Sequence, residues 1–349
     1  MSVSIRDFGK STTGQTVKLA VLKNEFIEVQ LLSYAAVIHR ILVPDRKGNP
    51  VDVVLGYPTA ADYELNTDSM GAAVGRFANR IAGAQFPLYE EIVHVTPNEN
   101  GNCLHSGLHG FNHTLFDVAL TPGETDSVTM TAFSPAGTDG FPGNLELKIR
   151  YSLAKSGLVI RYTATTDAPT VCNMTNHSYF NLNGHASGSV YTHTLQINAE
   201  HYTPVKDSKA IPTGEIAPVE GTPFDFTEAK PIGRDIEAND TQLHYGSGYD
   251  HNFAIDKTAP GVEKVATAYS LESGIQMEVY TDCVGIQLYT ANFIVGQEGK
   301  GGVKYNNRDA FCLETQFYPN SINETNFSTP VTKAGDTYHT ETDYKFSVR

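Results

Sequence analysis

The residues best suited to chemistry lie in four separate stretches, each polar where a β protein is usually apolar. One is residues 170–184, where a β-rich start leads into Asn176, His177, Ser178 and Tyr179. Side chains alternate along an extended strand, so His177 and Tyr179 are expected on one face with other polar residues. Such a face suits the floor of a wet cleft. A structural histidine beside a turn is the simpler alternative.

A second stretch, residues 311–320, places a glutamate inside a predicted strand. Alternation puts Cys312, Glu314 and Gln316 on one face and apolar residues on the other. A carboxylate is costly to bury unless it is paired or protonated, and partial burial raises its pKa toward neutrality, where a general base works best. A structural ion pair is the competing interpretation of this segment.

The other two stretches are less specific. His105, His109 and His113 recur at intervals of four, which on a helix would suggest a metal site. Glycines intervene, so neither a helix nor a metal site is expected there. Asp250 follows a Gly-Ser-Gly loop, where an exposed surface aspartate is the simpler interpretation of that residue alone.

Bringing together residues so far apart in sequence requires a large β fold. Strand-like segments recur at intervals of roughly 8 to 12 residues, separated by Gly, Pro and Asn clusters, as in a large β-sandwich. A brief helix capped by Thr59 is predicted, and no helix longer than a few turns. No repeat or linker is visible, so a single all-β domain over residues 1–349 is predicted. The predicted strands are residues 17–22, 26–32, 36–43, 51–55, 116–120, 128–133, 145–153, 158–165, 265–271, 276–281, 285–290, 311–317 and 335–348.

Composition narrows the class of protein. The formal net charge of −14 argues against a nucleic-acid or anionic-membrane partner, because both need a basic surface. The four cysteines are widely spaced, which excludes the common zinc and dithiol motifs. Neither a signal-like apolar region nor an apolar run of about 18 residues is present. A soluble cytoplasmic protein is expected, as a monomer or a homodimer.

Taken together, these stretches resemble the aldose 1-epimerases, also called galactose mutarotases. The resemblance implies a large twisted β-sandwich with an open sugar-binding cleft and few short helices. It also implies interconversion of the α- and β-anomers of free aldohexoses such as D-galactose and D-glucose, with no cofactor and no metal. The matching motifs, in the family's order, are GRFANRI at 75–81, LHSG at 104–107, DGFPG at 139–143, NHSYFNL at 176–182, YDH at 249–251, QLYT at 287–290 and LETQ at 313–316.

The resemblance further implies a role for individual residues. Glu314 resembles the general base that removes the C1 hydroxyl proton, His177 the acid that protonates the ring oxygen, and His105 a second histidine beside that oxygen. The first histidine motif departs from the family, reading His-Ser-Gly where many members have His-Gly-Gly. The implied substrate-binding residues are Asn79, Arg80, His105, Ser178, Tyr179, Asp250 and Gln287.

Two assignments within that set stay open. Strand alternation would put Arg76 and Arg80 on the same face, so Arg76 competes with Arg80, which ranks first, as the sugar-binding arginine. The apolar face of a sugar favours an aromatic platform, and the chain has no Trp. Phe293 and Phe317 are candidates for this role.

Three other functions compete with this interpretation. A hexose-phosphate epimerase would need a basic cluster, and the chain has 25 basic against 39 acidic residues. A sugar-binding module would not need both Glu314 and His177. A glycosidase would need a second carboxylate, such as Asp250, within about 5 to 10 Å of Glu314.

Overall fold

The computed structural model describes residues 2–349 as strands joined by turns and a few short helices. The strands of the first half are β1 (Ser2–Lys10), β2 (Thr16–Lys23), β3 (Glu28–Leu32), β4 (Ile38–Pro44), β5 (Pro50–Asp52), β6 (Ala73–Val74), β7 (Arg80–Ile81), β8 (Gln85–Leu88), β9 (Glu91–His94), β10 (Cys103–Leu104), β11 (Asp117–Leu120), β12 (Ser127–Ser134), β13 (Leu145–Ala154), β14 (Gly157–Thr166), β15 (Thr170–Val171) and β16 (Thr175–Asn176).

The second half continues in the same way. Its strands are β17 (Thr194–Ile197), β18 (His201–Thr203), β19 (Ala217–Pro218), β20 (Lys230–Pro231), β21 (Asp250–Ala254), β22 (Glu263–Tyr269), β23 (Ile275–Thr281), β24 (Gly285–Tyr289), β25 (Gln297–Glu298), β26 (Lys304–Tyr305), β27 (Cys312–Gln316), β28 (Val331–Thr332) and β29 (Thr337–Val348). The helices are α1 (Ala60–Leu65), α2 (Thr241–Gly246) and the 3₁₀ turns Ala82–Ala84, Phe111–His113, Thr138–Gly140, Ile232–Arg234, Lys300–Gly302 and Ser321–Asn323.

Three antiparallel sheets build the molecule. The largest has nine strands in the order β11-β12-β13-β14-β29-β23-β22-β17-β20, so β29 lies between strands from both halves of the chain. A second sheet contains β1 to β5 in chain order, and a third has the order β19-β18-β21-β24-β27. Five two-stranded pairs complete the set.

Alternation of apolar and polar residues explains why these segments form strands. In β13, Leu145, Leu147 and Ile149 are buried, while Glu146 and Lys148 between them are exposed. The largest apolar cluster takes side chains from all three large sheets. Burying such a face stabilises the fold by roughly 1.5–3 kcal/mol for each large apolar side chain. The prediction of an all-β sandwich with few short helices is confirmed.

The structure corrects one local prediction and confirms another. Residues 170–179 do not form one continuous strand, because β15 pairs with β28 and β16 with β6. The side chain of Asn176 donates to the Gly71 carbonyl at 2.9 Å, a local contact that competes with a regular ladder. The predicted helix is α1, and Thr59 caps it in a reciprocal pair with Asp62. No helix within residues 2–349 is both long and apolar enough to cross a membrane.

Candidate active site

The floor of the candidate site is one polar face of the third sheet. Side chains of residues in register on antiparallel strands lie side by side on the same face. The apolar residues on the opposite face, such as Phe253 and Leu313, belong to the main cluster and hold the floor in place. The register places two rows on the polar face of β21, β24 and β27, namely Asn252–Gln287–Glu314 and Asp250–Tyr289–Cys312.

A cleft of about 170 Å³ opens above this floor. One wall of the cleft is formed by the third sheet. Loops from the first half of the chain form the opposite wall. Carboxylates, imidazoles and aromatic rings predominate. The lining residues are Thr67, Asp68, Asn79, Arg80, Glu99, Leu104, His105, His177, Tyr179, Asp250, Tyr289, Phe293 and Glu314.

His177 is clamped by three rings on the edge of the cleft. Its ring stacks on Tyr179 with 5.1 Å between centroids and meets His105 and Tyr289 edge-on at 5.5 Å and 6.0 Å. The Tyr179 hydroxyl donates to the backbone carbonyl of Asp68 at 3.0 Å, which fixes the stacking partner in turn. The imidazole therefore has little freedom to rotate.

Glu314 faces this imidazole across a short gap. Its Oε1 lies 3.6 Å from Nε2 of His177, and both side chains are buried. Burial lowers the pKa of His177 to about 4. Burial, followed by repulsion from Asp250, raises the pKa of Glu314 well above its usual value, and Arg80 partly opposes this rise. The two shifts oppose separation of charge and favour a protonated carboxyl beside a neutral imidazole.

His105 enters the cleft from the loop after β10 in a fixed tautomer. The backbone N–H of Asn79 donates to the ring Nδ1 of His105 at 3.2 Å. In return, the backbone N–H of His105 donates to the Asn79 carbonyl at 3.0 Å. Burial lowers the pKa of His105 well below its usual value, so the ring is neutral near pH 7. With Nδ1 accepting, the ring proton resides on Nε2, and His105 is a hydrogen-bond donor.

Arg80 and Asn79 lie on the same wall. The guanidinium of Arg80 makes a bidentate pair with Glu99, with Nε and Nη2 at 2.8 Å and 2.7 Å from the carboxylate oxygens. Asn79 has φ +64°, a left-handed conformation that Asn tolerates better than most residues. Its Oδ1 accepts from the Arg80 backbone at 2.9 Å, which orients the amide.

Asp250 completes the polar floor. Its Oδ1 accepts a hydrogen bond from Nε2 of Gln287 at 2.8 Å. Burial raises the pKa of Asp250, and nearby Arg80 and the Gln287 hydrogen bond lower it in part. The interpretation of Asp250 as an exposed surface residue is therefore wrong. Gln287 lies on the same polar face, buried and outside the lining, and its hydrogen bond orients the Asp250 carboxylate.

Arg76 does not reach the cleft, which corrects the expectation that it shares a face with Arg80. Alternation fails because residues 75–79 are not a strand and Asn79 turns the chain. The Arg76 guanidinium is buried and donates to backbone carbonyls that it reaches at 2.7 to 3.0 Å. These acceptors are Ser134, Pro135, Pro142 and Gly143.

Of the other predicted residues, some line the cleft and some do not. Tyr179 and Phe293 line the cleft, and Phe293 is 61% exposed beside Tyr289, with 6.4 Å between the ring centroids. Ser178 and Phe317 do not line it. Ser178 is buried behind the His177 wall, where its backbone N–H donates to Asn176 at 3.1 Å.

Sequence reasoning missed five residues of the lining. Thr67 and Asp68 follow α1, Glu99 lies in the loop before β10, Leu104 ends β10, and Tyr289 ends β24. Asp68 accepts hydrogen bonds from the Tyr57 hydroxyl at 3.1 Å and from the Gln297 side chain, so it ties two rims of the cleft together. Of these, Leu104 and Tyr289 carried a signal, as members of the LHSG and QLYT motifs.

The three histidines spaced by four do not converge. His105 is in the cleft, the exposed His109 lies 3.3 Å from an Asp139 carboxylate oxygen, and His113 contacts the Asn112 amide at 3.1 Å. Among residues 2–349, no group of three or more His, Cys, Asp or Glu side chains is arranged to hold a metal ion.

The structure is an antiparallel β-sandwich with a carboxylate, an imidazole and fixed polar groups around one cleft, the arrangement of an enzyme that uses acid and base catalysis on a polar substrate. Comparison with known proteins makes the family explicit. The family model described as aldose 1-epimerase matches residues 18–345. The chain belongs to the aldose 1-epimerase family.

Individual relatives agree with this assignment over nearly their whole length. The chain is 38% identical to the galactose mutarotase of Mus musculus over 350 residues, covering 100% of this chain and 99% of the relative. It is 34% identical to the aldose 1-epimerase of Escherichia coli (strain K12), covering 95% and 96%. The crystal structure of galactose 1-epimerase from Lactobacillus acidophilus superimposes with a TM-score of 0.87 at 26% identity, covering 100% and 99%.

Proposed function

We propose that this protein is an aldose 1-epimerase that interconverts the α- and β-anomers of free aldohexoses such as D-galactose and D-glucose. Its membership of the family and the relatives named as galactose mutarotases support the reaction. The observation that carries the proposal is the 3.6 Å contact between a Glu314 oxygen and His177 Nε2 at the edge of the cleft.

The chemistry of anomer exchange matches this pair of groups. Opening a cyclic hemiacetal requires removal of the proton from O1 and delivery of a proton to O5, and both oxygens are bonded to C1. In our proposal Glu314 removes the first proton and His177 delivers the second. Rotation about C1–C2 of the open aldehyde, followed by closure with the roles reversed, gives the other anomer. Each group is typically worth about 10²- to 10⁴-fold in rate.

Protonation states set by the cleft suit this exchange. When the pair carries one exchangeable proton, its transfer from Glu314 to Nε2 of His177 gives a carboxylate base and an imidazolium acid at once. In that state His177 loses its proton to O5 and becomes neutral, while Glu314 gains the proton from O1. The pair ends the step with the same total number of protons, so no exchange with solvent is required.

Substrate binding is assigned to the fixed polar groups around the pair. Asn79, Arg80 and Asp250 present an amide, a guanidinium and a carboxylate to sugar hydroxyls, which favour oriented polar partners. His105 presents its Nε2–H, which is suited to donate to a sugar oxygen near the O5 that His177 protonates. Phe293 is the aromatic residue of the lining that offers a face for stacking, and Phe317 is not in a position to do so.

The charge of the cleft argues against a phosphorylated substrate. Three acidic side chains besides Glu314 line it (Asp68, Glu99 and Asp250) against one arginine, Arg80. That guanidinium is already occupied by Glu99. A phosphate dianion would meet net repulsion, so a hexose-phosphate epimerase is disfavoured.

Polarimetry tests the proposal directly. The wild type is expected to accelerate the change in optical rotation of fresh α-D-glucose or α-D-galactose. Glu314→Gln and His177→Asn are each expected to lower kcat by about 10²- to 10⁴-fold. Glu146→Gln, an exposed change on β13, serves as the matched control and retains full activity.

Other outcomes point to other functions. A wild type that binds galactose but shows only the spontaneous rate would establish a sugar-binding module. Release of a reducing end from an aryl galactoside would establish a glycosidase, for which the several carboxylates of the cleft supply a second group.

We further propose that the protein works in the cytoplasm, as a monomer or a homodimer. All four cysteines are free thiols, as expected in a reducing compartment. Sedimentation of the purified protein distinguishes the two assembly states.

A further inference from the structure

Cys312 and Glu314 contact the two nitrogens of the same imidazole. They are two residues apart on β27, so their side chains point to the same face. Sγ of Cys312 lies 3.6 Å from Nδ1 of His177, and Oε1 of Glu314 lies 3.6 Å from Nε2. All three residues are buried, and the ring is clamped by Tyr179 and its neighbours. The sulfur is therefore a fixed neighbour of the nitrogen that faces away from Glu314.

The proposed reaction restricts which nitrogen can carry the permanent proton. If Nδ1 of His177 were unprotonated, giving up the Nε2 proton would leave an imidazolate anion in a buried site. If Nδ1 keeps a proton throughout, the ring only alternates between imidazolium and neutral imidazole at Nε2. The proposed role of Nε2 as the acid therefore requires a proton on Nδ1.

A buried Nδ1–H needs an acceptor, and the sulfur is placed to supply one. Thiol sulfur is a weak acceptor, and it retains this capacity when the thiol is protonated. Burial, with repulsion from Glu314 and Asp250, raises the pKa of the Cys312 thiol well above its usual value. The group is thus a neutral dipole beside the ring, and it does not compete with Glu314 for the exchanging proton.

We propose that Cys312 is a positioning residue whose sulfur accepts the Nδ1–H of His177 and so keeps Nε2 as the nitrogen that exchanges a proton. This inference rests on the proposed function for its catalytic consequence. The tautomer itself is a property of the protein without substrate.

The ¹⁵N NMR spectrum of labelled protein at neutral pH reports the tautomer. The His177 signals are assigned by comparison with His177→Asn. The wild type is expected to carry the neutral-ring proton on Nδ1. In Cys312→Ala the share of Nε2–H tautomer is expected to increase, and kcat to fall by about three- to tenfold with KM unchanged, the loss expected for one hydrogen bond. Cys312→Ser, which restores an acceptor, is expected to recover both values.

Cys172→Ala is the matched control, because Cys172 is also a buried free thiol and does not line the cleft. A wild-type ring protonated on Nε2 would overturn the inference. So would a Cys312→Ala variant with the kcat and tautomer of Cys172→Ala. If Cys312→Ala does not fold, the wild-type and Cys312→Ser spectra decide the question. A wild type inactive in polarimetry would reject the proposed function, and the spectra would still judge the tautomer.

Discussion

Arg76 and Arg80 lie four residues apart and have different surroundings. Arg76 is enclosed by backbone carbonyls, whereas Arg80 lines the cleft and is held by Glu99. A buried guanidinium that satisfies several carbonyls contributes to folding, because its removal leaves those oxygens without partners. The two residues are therefore expected to respond to substitution in opposite ways.

We predict that Arg76→Met lowers the free energy of unfolding by about 3–5 kcal/mol, because several buried carbonyls lose their donor, and leaves KM unchanged. Arg80→Met is expected to raise KM with a smaller loss of stability. Urea unfolding and polarimetric kinetics measure both quantities. Equal increases in KM for the two variants would contradict the assignment of Arg76 to the fold.

At the level of single residues, the sequence predicted the burial of Glu314 better than it predicted which side chains point into the cleft. The apolar neighbours of Glu314 correctly indicated a buried carboxylate, because burial follows from strand alternation. The placement of Asp250 could not be predicted from its loop-like flanks, since the register of β21 against β24 is a long-range property. Asp68 and Glu99 lie in loops, where nothing in the local sequence distinguishes an acid that lines a cleft from one on the surface.

Among the elements, β21, β24 and β27 carry the polar floor, and Gln287 connects two of them. Its side chain on β24 donates to Asp250 on β21. Strand pairing sets the distance between these residues, while the hydrogen bond sets the orientation of the carboxylate. Gln287 is thus expected to act on substrate binding through Asp250.

We predict that Gln287→Met, a change of similar volume, raises KM by about tenfold, the order expected for loss of one hydrogen bond to a charged group. The effect on kcat is expected to be smaller, because Glu314 and His177 remain in contact. Gln276→Met is the control, since Gln276 is also buried but lies on β23 in the largest sheet. Indistinguishable KM values for the two variants would show that the Asp250 contact does not matter for binding.

Sequence located most long strands but not the short ones that shape the cleft. β13 and β14 have clear alternation and strong turn signals, so their bounds were predicted to within one residue. β6, β7, β10 and β16 are two residues long and carry no measurable period. Such strands exist because tertiary contacts hold them, a cause that local sequence does not record.

For the whole molecule, several buried histidines make stability dependent on pH. Burial lowers the pKa of His177 and His193 to about 4, of His251 to about 3 and of His39 to about 2. The unfolded chain binds protons on these rings near pH 6.5 and the folded chain does not. Stability is therefore lost as pH falls from about 6.5 to about 4. Burial raises the pKa of Asp343 to about 6 and also raises the pKa of Asp250, Asp309 and Glu314, so these acids act in the opposite direction. They are outnumbered by the seven histidines whose pKa burial lowers.

We predict that the free energy of unfolding falls between pH 6.5 and pH 4, with each fully buried histidine contributing about 1.4 kcal/mol per pH unit. His193→Gln is expected to reduce this slope by about one histidine, and substitution of the exposed His94 to leave it unchanged. Urea titrations at several pH values measure the slope. A slope that is equal in wild type and His193→Gln would contradict the prediction.

We also propose that the chain folds as one domain. The main apolar cluster includes Ala20 and Phe346 and draws on all three large sheets, which favours cooperative unfolding. Urea unfolding curves followed by far-UV circular dichroism and by tyrosine fluorescence are expected to coincide. Two resolved transitions would indicate independent units.

The position of β29 has a consequence for biosynthesis. Its residues pair with β14 on one side and β23 on the other, and both of those strands precede it in the chain. As the polypeptide leaves the ribosome, the two parts of the largest sheet are translated first and wait with open edges for the strand that joins them. Open edges can pair with other nascent chains, so we expect association between chains to be most frequent in the interval before β29 emerges.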